Sequence, residues 1–149
     1  MLVAIGRILF AVLFVLSGAM KLLDIPATAQ SIAEKVAIPA VLASYTGQLE
    51  AMTGMPIAQI LAIAAGITEV ICGLLIALNF GARFFAVVLM LFVIAATVSY
   101  HNFWDMTGAD RQSNMIHALK NLSLVGALLI IAGYPRPRAV TDEVVYSDN

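Results

Sequence analysis

The chain has 149 residues, 62% of them hydrophobic and 11% charged, with a net charge of −1 and a mean hydropathy of +0.97, whereas soluble domains carry about 25% charged residues. This composition reads as a membrane protein, leaves no room for a separate soluble catalytic domain and offers no basic stripe for nucleic acid. The single cysteine, Cys72, excludes an internal disulfide and a Cys-rich zinc or iron-sulfur site, and within an apolar run it reads as a small buried hydrophobe.

Residues 2–23 form a first apolar run broken only by Arg7, Ser17 and Lys21. A secretory signal would have a shorter core and a cleavage site, so the run reads as a retained transmembrane helix. Arg7, Phe10, Phe14, Ser17 and Lys21 recur at steps of three and four, which places both cations on one helix face and favours the bundle interior. Residues 24–56 are too polar to span. They contain two amphipathic patterns, Ile25, Ala29, Ile32, Ala33 and Val36, then Val41, Leu42, Tyr45, Leu49 and Met52, which suit short helices lying on the membrane surface or capping the bundle.

The second span, residues 57–78, is apolar apart from Gln59, Thr68 and Glu69. A carboxylate near the bilayer centre costs roughly 2.5 to 3.5 kcal/mol, so Glu69 needs a partner, a proton or a water-filled cavity. Ala62, Ala65, Gly66 and Gly73 cluster on its side and favour close approach of another helix, so Glu69 faces protein. Asn79, Phe80 and Gly81 supply a turn. The third span, residues 83–101, ends in an aromatic belt of Tyr100, Phe103 and Trp104. The fourth, residues 114–133, opens with Asn114, His117, Lys120 and Asn121, and Pro135 and Pro137 stop it. The expectation is an all-α, four-helix transmembrane bundle over residues 1–138 with short amphipathic helices between spans 1 and 2, then a polar tail over 139–149.

Four spans put both termini on one side. Arg7, Arg83, Arg136 and Arg138 lie there, against Lys21, Lys35 and Arg111 opposite, a modest bias that favours cytoplasmic termini. With the spans aligned at their ends, the lean of helical side chains towards their own N-termini favours Lys120 or Asn121 as the partner of Glu69, with Arg7 as runner-up. Lys21, His101 and His117 would converge in the outer leaflet as a ligand pocket. Such a pocket suits a quinone held by hydrogen bonds, a haem with His101 and His117 as axial ligands, or passage of a small solute. A structural subunit, whose polar groups only fix helix register, fits the same residues.

Gly6-Arg7-Ile8-Leu9-Phe10, Ser17-Gly18, Lys21-Leu22, Glu69 with Gly73-Leu74-Leu75, Arg83, His101, and Leu119-Lys120-Asn121-Leu122 with Gly126 follow one another in an order that resembles the DoxX family of small four-helix membrane proteins. Cys72 departs from that pattern, which would place a second glycine beside Gly73. The resemblance implies a bacterial or archaeal cytoplasmic-membrane protein. It also implies membrane redox chemistry, as in thiosulfate:quinone oxidoreductase and in complexes linked to oxidative-stress and thiol defence.

Together these readings give an expectation of a membrane subunit of a quinone-linked oxidoreductase system. Glu69 and Lys120 would form the catalytic pair, with Arg7 orienting it and Lys21, His117, Asn121 and His101 lining the ligand site. Quinone is the expected cofactor, no metal or covalent group is expected, and the partners would be lipid, redox subunits and further copies of the chain. On this reading a proton would pass between Glu69 and a reduced quinone. The alternatives are a non-catalytic assembly subunit or a small-solute transporter.

Overall fold

The computed structural model describes residues 1–134; Arg136, Arg138 and the expected polar tail lie outside the described residues. Six α-helices follow in order: α1 Leu2–Leu23, α2 Ile25–Lys35, α3 Ala43–Thr53, α4 Ile57–Ala77, α5 Ala82–Tyr100 and α6 Gly108–Gly133. Four of them, α1, α4, α5 and α6, are long and apolar enough to cross a membrane. The all-α fold with four spanning helices is therefore the one read from the sequence.

The helices neighbour one another in the order α1, α4, α5, α6, with the most extensive packing in the α1–α4 and α5–α6 pairs. Both pairs are antiparallel. Gly18 of α1 meets Gly66 and Glu69 of α4 while Ala11 and Phe14 meet Gly73, and Arg83 reaches Ala132 while Thr97 meets Asn121. All four spans contribute to one core, in which Phe14, Cys72, Ile76, Ala86, Leu89, Val93 and Leu128 are buried. The departure at Cys72 leaves helix packing intact, since Cys72 joins this core while Gly73 beside it is the residue that approaches α1.

The outer face is apolar, as a lipid-facing surface must be: Leu9, Leu16, Leu91, Leu122 and Ile130 are all exposed. Along α5, Arg83 and His101 stand 18 residues apart, about 27 Å at the rise of an α-helix, close to the thickness of a hydrocarbon core. Glu69 lies ten residues before the Asn79 turn on α4, about 15 Å from that end. It sits mid-slab.

The two short helices behave differently. Asp24 caps α2 by accepting from the Ala27 N–H at 3.1 Å, and α2 folds back onto α4 with Ile32 buried. Helix α3 buries no residue, and its apolar side chains Tyr45, Leu49 and Met52 remain exposed. The apolar stripe expected from Val41 to Met52 is broken, since Val41 and Leu42 lie in a short 3-10 turn before α3 and α3 itself has little apolar bias to one face. Gly54, at φ +68°, closes α3 in the left-handed conformation, and Glu50 then accepts from the Ile57 N–H at 2.7 Å, capping the start of α4.

One boundary differs from the sequence reading. Helix α6 starts at Gly108 rather than near residue 114, because Asp110 in its first turn favours the exposed N–H groups of the helix end. The residues 108–113 that read as a polar connection are a polar helical extension of the span.

Candidate functional site

Glu69 is the only buried charged side chain among the described residues, at 4% exposure. Its partner is Lys21. The Nζ of Lys21 lies 3.0 Å from Oε2 of Glu69 and also donates to Oγ of Ser17, one turn back on α1, at 2.7 Å. The Lys21 carbonyl accepts from the Thr28 hydroxyl at 3.4 Å, which ties the start of α2 to the same place.

Glycine makes this pairing possible. A Cβ built on Gly18 would stand 2.6 Å from the Gly66 carbonyl oxygen and 2.8 Å from Cβ of Glu69, and one built on Gly66 would stand 2.7 Å from Cγ of Leu22. Neither position admits a side chain, so the α1 and α4 backbones touch there. Lys21 and Glu69 each lie three residues beyond this crossing on antiparallel helices. Each side chain leans back towards its own N-terminus, so the two converge on the crossing.

This geometry corrects the expected Glu69–Lys120 pair. Lys120 is exposed on α6, which packs against α5 rather than α4. Asn121 instead donates to Oγ1 of Thr97 at 2.9 Å, linking α6 to α5. Arg7 is also not a partner of Glu69: its guanidinium donates to the Asn79 side-chain oxygen at the far end of the bundle. The expectation went astray because it aligned α1 and α4 at their ends. The glycine contact slides them, bringing Arg7 level with Asn79 and Lys21 close to Glu69.

The expected pocket of Lys21, His101 and His117 does not form as one site. His101 and His117 are together, their rings stacked at 5.0 Å with an interplanar angle of 12°, and Nδ1 of His101 lies 3.0 Å from the side-chain oxygen of Asn114. Stacked face to face, the two rings do not direct a nitrogen each at a point between them in this arrangement. No group of three metal-ligating residues occurs among the described residues.

What does surround Lys21 is a shallow groove on the outer side of α1, about 740 Å³, lined by Leu9, Val12, Leu13, Leu16, Ser17, Met20, Lys21 and Thr28. The Lys21 side chain is 29% exposed and that of Glu69 only 5%. An ammonium has three donors, and Ser17 and Glu69 use two. The site thus presents one cationic N–H to an apolar groove open to the lipid side, backed by a carboxylate sealed from it. Reading the sequence missed the contributions of Ser17 and Thr28. The signal was present in the three-residue spacing of Gly18 to Lys21 and Gly66 to Glu69.

A family model described as DoxX matches residues 2–102. The chain belongs to the DoxX family. It is an integral membrane protein, and it is 32% identical over 131 residues to the inner membrane protein YphA of Escherichia coli strain K12, a match that covers 88% of this chain and 81% of YphA. No solved structure matches. The matched DoxX region runs from α1 to just beyond α5 and so contains Ser17, Lys21 and Glu69, whereas His117, Lys120 and Asn121 lie beyond it.

Proposed function

We propose that this DoxX protein is a membrane subunit of a quinone-linked oxidoreductase or thiol-defence system, and that it receives the quinone from the bilayer at the Lys21–Glu69 pair. The observation that carries this reading is the ammonium of Lys21, anchored by Ser17 and Glu69 yet lining an apolar groove on the outer side of α1. A quinone offers two carbonyl acceptors on an apolar ring. Lys21 would donate to one carbonyl, and Leu13, Leu16 and Met20 would hold the ring. Glu69, bonded to Lys21 but closed off from the groove, would exchange a proton with a bound quinol only by way of the Lys21 ammonium. The two electrons would pass to or from a partner subunit. The relative YphA is an inner membrane protein, which supports the same membrane here, with both termini cytoplasmic on the bias of Arg7, Arg83, Arg136 and Arg138 over Lys21, Lys35 and Arg111.

A second reading has its own observation. The close approach at Gly18 and Gly66, sealed by the ion pair, is also what a register lock in a non-catalytic assembly subunit would use. One pair of measurements separates the two: identification of quinone in extracts of protein purified in mild detergent, and electron transfer in membranes carrying Glu69→Gln. Bound quinone, with electron transfer lost at near-normal abundance, supports the redox reading. Absence of quinone, with abundance lowered and electron transfer per molecule unchanged, supports the register lock.

A further inference from the structure

A second groove lies away from the ion pair. It is a groove of about 930 Å³ at the end of the bundle where α1 begins and α6 finishes. Two guanidiniums wall it, Arg7 from α1 and Arg83 from α5, together with the apolar side chains of Phe10, Phe84, Ile130 and Ile131. We propose that this groove binds an anionic phospholipid, with Arg7 and Arg83 holding the phosphate and the apolar walls taking the upper part of an acyl chain.

Charge is the first argument. The carboxylates of the described residues are Asp24, Glu34, Glu50, Glu69, Asp105 and Asp110. None lines the groove, so both guanidiniums are without an anionic partner among the described residues. Among the described residues Arg7 bonds only the neutral amide of Asn79. Its Nε is the one buried side-chain polar atom among the described residues with no hydrogen-bond partner, and a buried donor left unmade is expensive. Arg83 spends its Nε on the Ala132 carbonyl at 2.8 Å, which fixes the side chain across the α5–α6 seam and leaves its terminal nitrogens for a ligand. Planar guanidiniums bind phosphate oxygens through paired hydrogen bonds.

Depth and shape are the second. Arg83 stands in the first turn of α5, at the edge of the apolar slab, which is where a phospholipid carries its phosphate. Basic pockets between transmembrane helices recognise anionic headgroups in this way. A free phosphate would use the cations alone and gain nothing from Phe10, Phe84 and Ile130. Gly6, on the groove lining, has nothing within 4 Å of the place its Cβ would occupy, so the space beside it is open. This proposal does not depend on the redox reading, since none of its residues touches Lys21 or Glu69.

The test uses the full chain in mild detergent, exposed to equal amounts of phosphatidylglycerol and phosphatidylcholine and examined by native mass spectrometry. Retention of phosphatidylglycerol over phosphatidylcholine by roughly tenfold is expected, from two cations near the headgroup. The preference should vanish in R7Q/R83Q, fall in G6L, where a leucine fills the groove and both cations stay, and persist in R111Q at the opposite end. Glycerol phosphate in excess should fail to displace the lipid. Equal retention of the two lipids by the unaltered chain would overturn the proposal, as would an undiminished preference in G6L or displacement by glycerol phosphate. If R7Q/R83Q does not fold, the unaltered chain and G6L still decide the question.

Discussion

The two tight helix seams of this protein solve the same problem in different ways. In the α1–α4 seam the backbones touch through Gly18 and Gly66, and the polar content is an ion pair at mid-slab. In the α5–α6 seam no ion pair forms among the described residues: Thr97 bonds Asn121, His101 bonds Asn114 and stacks on His117, and the Arg83 guanidinium meets a backbone carbonyl at the slab edge. The neutral bonds lie towards one membrane surface, whereas the charges lie deep. A register lock alone could be built from amides and hydroxyls, as α5 and α6 show. Charge at depth carries a larger desolvation cost, and its presence in one seam alone is what sets that seam apart as the candidate site.

Breaking the charged seam should have the largest effect. Lys21→Met leaves the Glu69 carboxylate buried without its cation, and a loss of about 3–5 kcal/mol is expected, measured as unfolding in mixed detergent micelles. Replacing both partners with apolar residues, Lys21→Met with Glu69→Leu, should recover much of that loss while abolishing any quinone binding. Gly18→Ala comes next. Its methyl would meet a backbone carbonyl that cannot move aside, so destabilisation of roughly 1–3 kcal/mol is expected in the same assay.

The neutral seam should answer more weakly. Asn121→Ala removes the bond to Thr97 and is expected to lower stability by about 0.6 kcal/mol, the average for such bonds between membrane helices. Gly126→Ala should reverse the sign. With nothing within 4 Å of its Cβ position, the methyl meets no neighbour, and a gain of about 0.5–1 kcal/mol over glycine in a helix is expected as a raised melting temperature. Gly18→Ala and Gly126→Ala make the same chemical change, so their opposite signs would isolate helix contact as the cause.

The spans were legible in the sequence because length and hydropathy decide them: a helix must satisfy its own backbone in lipid, and each run of about 20 apolar residues has one solution. The turn at Asn79 and Gly81 was equally plain, both residues standing at φ 59°. Less legible was the start of α6, where Asp110, Arg111 and Gln112 look like a loop by composition and are helical because a helix may leave the slab before it ends. The identity of the Glu69 partner was the real loss. Hydropathy fixes how deep a residue lies only to within a turn or two, and it says nothing of which helices are neighbours. Those facts sit in Gly18, Gly66 and Gly73, whose missing side chains set both the pairing and the slide of α1 along α4.

A double-mutant cycle read by unfolding in mixed micelles tests the Lys21–Glu69 pair most directly. Lys21→Met, Glu69→Leu and their combination form one cycle, and Lys120→Met with Glu69→Leu forms the control. Strong coupling between positions 21 and 69, with additive effects at 120 and 69, is the expected result. Additive effects at 21 and 69, or coupling of 69 to 120 instead, would contradict the pair on which the candidate site is built.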